Sequence, residues 1–347
     1  MIYDICIIGA GASGLMCASH LEDKSICIID NNNNIGAKIK VSGGAKCNIT
    51  NENVNESYFL GDSLFIKNTL QAYSNTDLIR YLNTNNLDFE LNPKIVKGTY
   101  FCKSSNDVIN MFSNLTRHCH FELNTKVNDV KYDNIYTVFT NKKQIKAKKI
   151  IVASGGLSFS NLGASSIGFD IAKQFGHTVS RLDPALVGFT VQKDQFWFKE
   201  LSGLSMDVKI KVNNKEIEGS FLFTHKGCSG PAILTTSLYW EKGKVSIDFA
   251  PYKDSYLQKR FKRAIKDLNI DLHNYEFAPA GNFGFSKAEV TKGGVNTYEV
   301  DKNMQSKLQK DLYFIGEVLD VTGELGGYNF QWAFSSAVVC AKSLKCV

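Results

Sequence analysis

The chain has 347 residues, 44% of them hydrophobic, and a net charge of +6 from 40 Lys and Arg against 34 Asp and Glu. This length exceeds what a single hydrophobic core usually supports, so we expect two lobes. No apolar run reaches the roughly 18 residues of a membrane span, and the chain enters a strand pattern at once, so we expect a cytoplasmic protein. The nine cysteines form no C-x-x-C pair and the histidines lack further ligands, so no metal site is expected.

The first thirty residues carry a dinucleotide-binding motif. Residues 3–8 predict a strand, the residues up to about Leu21 a helix, and residues 25–29 a second apolar strand that ends at Asp30. Between the first strand and the helix lies a turn that consists of Gly9, Ala10, Gly11, Ala12, Ser13 and Gly14. This G-x-G-x-x-G therefore lies in the setting that a dinucleotide site requires, which favours binding over an ordinary structural turn.

Each part of the motif has a physical reason. Gly9 permits a tight turn, Gly11 lets the backbone approach a pyrophosphate, and Gly14 lets the helix pack against the sheet. The diphosphate is expected at the helix N-terminus, where free N–H groups and the helix dipole favour an anion. Asp30 is expected to accept from the ribose hydroxyls of an adenosine. The motif alone does not separate NAD from FAD.

The segment 36–51 combines small residues with lysines and hydrogen-bonding side chains. This composition suits a loop around an anionic cofactor rather than a helix or a strand. A flexible Gly- and Ser-rich loop without a ligand explains the composition equally well, so both interpretations stay open.

Two later segments favour FAD. A buried strand at residues 150–152 ends in the small residues Ala153, Ser154, Gly155 and Gly156, as expected where a chain returns to a nucleotide. Near the end, a strand at residues 312–315 leads into Gly316 and Glu317, and a glycine-rich turn precedes a helix at residues 331–344. A domain that binds only NAD does not need the C-terminal part of the chain to come back to the nucleotide, so this segment favours FAD.

The residues from 184 onward predict an inserted lobe of strands, at 186–191, 206–212, 220–224 and 245–249. Within it, the polar turn at His225 is either a substrate-facing loop or an ordinary strand-ending turn. Residues 256–268 predict a short amphipathic helix with five cations, which is either a solvated face or a contact with nucleic acid.

Several of these segments together resemble one known family. They are the N-terminal glycine turn, the loop from Lys38 through Ser42, Gly43 and Gly44 to Cys47, Asn48, Thr50 and Asn51, the strand end at Ala153–Gly156, and the segments 223–231, 291–295, 316–320 and 326–329. In this order, over nearly the whole chain, they resemble the BaiN-like (YhiN-like) FAD-dependent oxidoreductases, also known as aminoacetone oxidase family flavoproteins.

This resemblance implies an α/β fold with a Rossmann-like FAD-binding domain of glutathione-reductase type at residues 1–184 and 306–347. It further implies an inserted β-rich substrate domain at residues 185–251 and 276–305, with a reduced helical insertion at residues 252–275. The residues implied to contact FAD are Gly9, Ala10, Gly11, Ala12, Ser13, Gly14, Asp30, Asn31, Lys38, Ser42, Gly43, Cys47, Asn48, Val127, Ala153, Ser154, Gly155, Gly156, Gly316, Glu317, Gly326, Gly327, Tyr328 and Asn329.

The chain departs from the family pattern in three places. Ala45 and Lys46 stand where the family usually has Gly and Arg, which keeps the charge but loses a bidentate donor. Asp30 stands where many members have Glu, and the helical insertion is short.

The expected chemistry is that of a flavin reductase. The sequence holds no second G-x-G-x-x-G, so NADH or NADPH is expected as a transient reductant, and hydride then passes to a polarised C=C or C=O bond of a substrate between the lobes. Cys47, with Lys46 beside it to tune its pKa, and His225 are the candidate proton donors, although a buried structural thiol also explains Cys47. The substrate is a small molecule or, through the basic segment 259–266, a uracil of ribosomal RNA reduced to dihydrouridine. A flavin-bearing binding protein without turnover is the third alternative.

Overall fold

The computed structural model describes residues 1–92, 96–252 and 257–345. By its internal contacts the chain forms two units. Residues up to 92, 97–183 and 291–345 form the first unit, and residues 184–252 and 257–290 form the second. Residues 291–305, which the domain prediction assigned to the inserted domain, thus lie in the first unit.

The helices and strands are numbered in chain order. From the N-terminus to the inserted unit they are β1 (Ile2–Ile8), α1 (Ala12–Ala18), β2 (Ile26–Ile29), α2 (Ala37–Val41), β3 (Asn48–Asn51), β4 (Phe59–Leu60), α3 (Ser63–Ala72), α4 (Asn75–Thr84), β5 (Phe89–Asn92), β6 (Thr99–Cys102), α5 (Ser105–Leu115), β7 (His120–Glu122), β8 (Val127–Asp133), β9 (Ile135–Thr140), β10 (Gln144–Val152) and α6 (Ile167–Gln174).

The remaining elements cover the inserted unit and the return to the first. They are β11 (Asp183–Ala185), β12 (Phe189–Thr190), α7 (Trp197–Glu200), β13 (Ser205–Val212), β14 (Lys215–Thr224), β15 (Gly227–Ser229), α8 (Pro231–Tyr239), β16 (Val245–Asp248), α9 (Lys259–Ala264), β17 (Tyr275–Phe277), β18 (Gly281–Asn282), β19 (Val290–Lys292), β20 (Leu312–Phe314), β21 (Thr322–Gly323) and α10 (Tyr328–Lys345).

The first unit is built on a seven-stranded sheet. Strands β7, β2, β1 and β10 are parallel neighbours, β20 is parallel to β10, and β9 and β8 continue from β10 as an antiparallel meander. The central strands are buried on both faces, which explains their continuous apolar sequence. Helix α10 packs against α1. The predicted Rossmann-like α/β fold is confirmed.

The second unit is an antiparallel sheet of seven strands in the order β17, β16, β13, β14, β15, β12 and β18. Its core is dominated by aromatic side chains, among them Phe198, Phe221, Phe223, Phe249 and Phe277. The predicted β-rich character of this segment is therefore observed, with three short helices added to the sheet.

Several local predictions were wrong. The segment 36–51 is not a continuous loop, because it forms α2 and, after a tight turn, β3, which pairs with β6. The predicted strand at residues 186–191 is reduced to β12, and the predicted helix at residues 256–268 is observed only as α9, with residue 256 outside the described part. Residues 121–130 and 135–140 predict two paired strands, but the first stretch divides into β7, which pairs with β2, and β8, which pairs with β9.

Within the described residues, no helix is both long enough and apolar enough to cross a membrane. Those residues also contain no cluster of three or more His, Cys, Asp or Glu side chains arranged to hold a metal ion.

Candidate cofactor site

The predicted cofactor residues of the first unit meet at one edge of its sheet. The register aligns Ile8 of β1 with Ile29 of β2 and with Val152 of β10, and Val152 in turn with Phe314 of β20. Because parallel strands end at the same edge, the segments that follow these four strands converge there. This edge is where ligands bind in doubly wound α/β folds.

The glycine turn after β1 has the geometry that its sequence predicts. Gly9 has φ +116°, and a Cβ there would overlap the carbonyl oxygen of Ala153. A Cβ on Gly14 would overlap the carbonyl oxygen of Gly9, so both positions require glycine for packing. Gly11 differs, because its φ of −87° suits any residue and a Cβ added there would have no heavy atom within 4 Å. Its missing side chain leaves open space beside the start of α1.

Asp30 lies beside this turn. Its Oδ2 accepts from the Ala10 N–H at 2.7 Å, and its Oδ1 accepts from both the backbone N–H and the side-chain amide of Asn32 at 2.8 and 3.0 Å. A carboxylate has about four acceptor positions, so about one position, on Oδ2, stays available for a hydroxyl. The neighbouring Asn31 is exposed.

The turn after β10 is stabilised by Thr291, a residue without a predicted role. The Thr291 Oγ1 accepts from the N–H groups of Leu157 and Ser158 at 2.7 and 3.1 Å. With both lone pairs used, its hydroxyl donates to the Ser158 Oγ at 3.0 Å. A Cβ on Gly156 would overlap the Thr291 side chain, so this glycine makes room for a protein contact.

Glu317 and Lys38 form an ion pair in the same place. Lys38 Nζ lies 2.7 Å from the Glu317 Oε2, and the Thr291 N–H donates to the Oε1 at 2.9 Å. The two side chains are 32% and 19% exposed, so the pair is partly shielded from water. The Lys38 ammonium also lies 6.0 Å from the ring centroid of Phe159, a residue with φ +58°. Lys38 and Glu317, which were predicted to contact the cofactor, therefore also bind each other.

Helix α10 holds the segment that follows β20 in place. Gly316, at φ +76°, donates its N–H to the Ser336 Oγ and accepts from the Trp332 indole at 3.1 Å. A Cβ on Gly316 would meet the Ser13 side chain, which brings the first and last parts of the site into contact.

The glycine-rich turn before α10 also has identifiable partners. The Asn329 side chain bonds both the N–H and the carbonyl of Gly323 at 2.8 Å, and Tyr328 stacks on Tyr58 with ring centroids 4.7 Å apart. Gly326 accepts from the Asn51 amide, and Gly327 has no room for a Cβ against Thr50. These contacts order the turn, and a direct cofactor contact of Asn329 or Tyr328 stays a prediction.

The loop that contains Cys47 lies between α2 and β3. Ser42 Oγ donates to the Ile39 carbonyl, and Gly43, at φ +56°, packs against Asn48. The Cys47 side chain is fully buried, and this burial raises the pKa of its thiol to about 12.

Lys46 does not tune the Cys47 thiol as predicted. Its ammonium lies 5.2 Å from the ring centroid of Phe101, and the thiol pKa is raised rather than lowered. Nearby, an open cavity of about 430 Å³ is lined by Lys40, Val41, Gly44, Ala45, Ser104, Ser105 and Asn106.

Val127 is buried at the start of β8, two residues after Thr125, whose N–H donates to the Asp30 carbonyl at 2.9 Å. A direct contact of Val127 with the cofactor stays a prediction. His225 belongs to the second unit and is exposed in the turn between β14 and β15.

The site fits FAD on its own geometry. The space beside Gly11 admits a diphosphate, the remaining acceptor position of Asp30 admits a ribose hydroxyl, and four chain segments converge on the carboxyl edge of the sheet. A family model described as HI0933-like protein Rossmann domain matches residues 3–343. The chain belongs to this family. The predicted resemblance to a family of FAD-dependent oxidoreductases is thereby confirmed.

Curated relatives match nearly the whole chain. A Haemophilus influenzae protein named ribosomal RNA dihydrouridine synthase is 36% identical over 97% of this chain and 97% of its own length, and an Escherichia coli protein of the same name is 34% identical over 99% and 98%. A Clostridium scindens 3-dehydro-bile acid delta(4,6)-reductase is 26% identical over 98% of both chains. The first alignment spans 395 positions, more than this chain has residues, so that relative contains segments without a counterpart here.

The fold is similar to that of solved steroid oxidoreductases. The 3-ketosteroid delta1-dehydrogenase from Sterolibacterium denitrificans has a TM-score of 0.56 at 12% identity and covers 99% of both chains. This structural similarity supports the assigned fold of the HI0933-like protein and carries no information on its substrate.

Replacing Thr291 by Val should loosen the turn after β10. The variant leaves the N–H groups of Leu157 and Ser158 without their acceptor, which should lower the free energy of unfolding by roughly 2–4 kcal/mol. Thr291→Ser keeps the hydroxyl and serves as the matched control. Chemical denaturation of both variants measures the difference, and equal stability of the two would show that the hydroxyl does not order this turn.

Proposed function

We propose that the protein is an NAD(P)H-driven reductase that adds a hydride and a proton across a polarised C=C or C=O bond. When bound, FAD supplies reversible two-electron redox chemistry. NADH or NADPH is the electron source, and its oxidation to NAD⁺ or NADP⁺ balances the reduction of the substrate. Support comes from the single G-x-G-x-x-G, which leaves the nicotinamide to bind transiently.

We further propose that the substrate is a uracil of large-subunit ribosomal RNA in the cytoplasm, reduced at its C5=C6 bond to dihydrouridine. The observation that carries this proposal is the pair of relatives named ribosomal RNA dihydrouridine synthase, which match 97% and 99% of this chain. The base has to leave its stack to reach an enzyme site, and RNA loops present such bases.

A small-molecule enone is the second candidate, supported by the bile-acid reductase relative at 26% identity. The two candidates differ in their response to salt. Turnover of RNA should weaken steeply as salt rises, because phosphate contacts release counterions, whereas turnover of a neutral small molecule should change little.

A deletion strain tests the RNA substrate directly. The proposal predicts that one dihydrouridine disappears from large-subunit ribosomal RNA and returns when the gene is restored. Unchanged dihydrouridine would contradict it. A protein that holds FAD but whose flavin stays oxidised under anaerobic NADH or NADPH would instead be a binding protein without turnover.

The chain offers two candidates for the proton donor. His225 is exposed in its turn, whereas the Cys47 thiol is protonated at neutral pH and has no exposed surface. Because a general acid has to reach the reacting atom, we propose His225 as the donor and a packing role for Cys47.

Replacing Cys47 by Ala should therefore leave the reaction intact. We expect FAD content and turnover within about twofold of the parent protein, with a loss of about 1 kcal/mol in unfolding free energy from the vacated volume. His225→Asn is the comparison, and it should lower turnover while NAD(P)H still reduces the flavin. A Cys47→Ala protein that keeps flavin reduction but loses turnover would assign proton transfer to the thiol.

A further inference from the structure

The second unit carries a dense exposed patch of positive charge. Residues 257–266 contain five cations and no acid, and all five cations are exposed, namely Lys259, Arg260, Lys262, Arg263 and Lys266. We call these five side chains the cationic face. Its helical part is α9.

The aromatic core of the unit fixes the direction of this face. Phe261 is fully buried and lies 6.2 Å from Trp197 and 5.3 Å from Phe249 between ring centroids. At about 100° per residue, Lys259 and Arg263 point to the side of α9 opposite Phe261, and Arg260 and Lys262 lie on its two flanks. The packing that holds the helix therefore presents its cations together to solvent.

The exposed Asp267 directly follows Lys266 in the chain, but the cationic face has no ion-pair partner among the described residues. None of its five cations forms an ion pair with a described carboxylate, whereas Lys209 and Lys244 of the same unit each pair with a glutamate at 2.5 Å. Close like charges repel one another and favour an anionic partner.

An exposed aromatic ring lies just before a helix that contacts this face. Arg260 donates to the Glu200 carbonyl at the end of α7, which connects α9 to α7. Just before α7, Phe196 is 45% exposed, and the Lys199 ammonium lies 3.5 Å from its ring centroid. Exposed rings beside cations suit unpaired bases, which stack on aromatic faces while the phosphates meet the charges.

We propose that the cationic face, with Phe196, is a docking surface for the sugar–phosphate backbone of RNA. This inference rests on the proposed function and deepens it, because it assigns the binding of the RNA to residues of the second unit. The cations supply affinity without reading sequence, and Phe196 stacks on a base.

Binding of an in vitro transcribed large-subunit ribosomal RNA to the FAD-loaded protein, measured over a range of salt concentrations, tests the proposal. The test variant combines Lys259→Gln, Lys262→Gln, Arg263→Gln and Lys266→Gln and leaves Arg260 in place. The matched control combines Lys126→Gln, Lys146→Gln, Lys302→Gln and Lys310→Gln, four exposed lysines of the first unit, with the same change in net charge. FAD content and thermal midpoint verify folding.

We expect the salt dependence of log K to flatten by roughly 0.7 per lost contact, about 3 in total, in the test variant alone. Affinity near 0.1 M salt should fall at least tenfold, and Phe196→Ala should weaken binding without changing the salt slope. Equal losses in both quadruple variants would show an effect of net charge only and would overturn the proposal. Unchanged RNA binding together with lost capture of an acidic protein would overturn it in favour of a protein partner. Binding is read without turnover, so RNA that binds but is not reduced would contradict only the proposed reaction.

Discussion

Replacing Gly14 by Ala is expected to abolish FAD binding and to destabilise the first unit by about 3 kcal/mol or more. The added Cβ would overlap the carbonyl oxygen of Gly9 and press on the Ile7 side chain of the central strand. Because both contacts lie in a packed core, the strand and α1 would have to separate. Denaturant unfolding and flavin absorbance of the purified variant measure the two effects.

Gly11→Ala is the matched comparison in the same turn. Its φ suits alanine and its Cβ would meet no protein atom, so the stability without cofactor should change by less than about 0.5 kcal/mol. FAD affinity should nevertheless fall at least tenfold, because the Cβ occupies the space through which the diphosphate approaches the backbone. A Gly11→Ala protein that binds FAD like the parent would place the diphosphate elsewhere.

Removing the Glu317 carboxylate is expected to release the cofactor almost as effectively as Gly14→Ala does. In Glu317→Ala, the Lys38 ammonium loses its counter-ion and the Thr291 N–H its acceptor, in a partly shielded site. We expect a loss of roughly 2–4 kcal/mol in stability and most of the bound FAD. Thermal unfolding with and without added FAD separates the two effects.

A double variant tests whether the ion pair itself matters. Glu317→Gln keeps an acceptor for Thr291 but leaves Lys38 unpaired, and Lys38→Met removes that unpaired charge. The double variant should therefore be more stable than Glu317→Gln alone, since an unpaired charge in a shielded site costs more than the absence of both charges. Additive losses from the two single changes would show that Lys38 and Glu317 act independently.

Local patterns in the sequence predicted much of the fold. The buried strands at the N-terminus, the glycine turn and α10 depend on hydrophobic periodicity and on residues close together in the chain. The requirement for glycine at residues 9 and 14 follows from contacts that the motif always makes, and both contacts are present. The motif therefore predicted its own geometry correctly.

Long-range pairing explains the errors. The segment 36–51 lacks a strong period, and β3 exists because its partner β6 lies about fifty residues further on. Strand β7 pairs with β2 rather than with a neighbour in sequence. Such pairings come from tertiary packing, which local propensity does not encode.

The same limit applies to the candidate site. Lys38 and Glu317 were each assigned to the cofactor, but they lie 279 residues apart and their ion pair is visible only in the structure. Thr291 appeared within a family-like segment without a role, although its hydroxyl orders a turn 133 and 134 residues earlier. An isolated threonine gives no sequence signal for such contacts.

We propose that this HI0933-like protein uses NAD(P)H to reduce a uracil of ribosomal RNA. The direct measurement incubates the FAD-loaded protein anaerobically with NADH or NADPH and an unmodified large-subunit ribosomal RNA transcript, then maps nucleosides by mass. We expect the flavin to bleach with one of the two reductants, RNA to restore the flavin colour, and one uridine to gain two hydrogens. A flavin that bleaches but is not reoxidised by RNA, with every uridine unchanged, would contradict it.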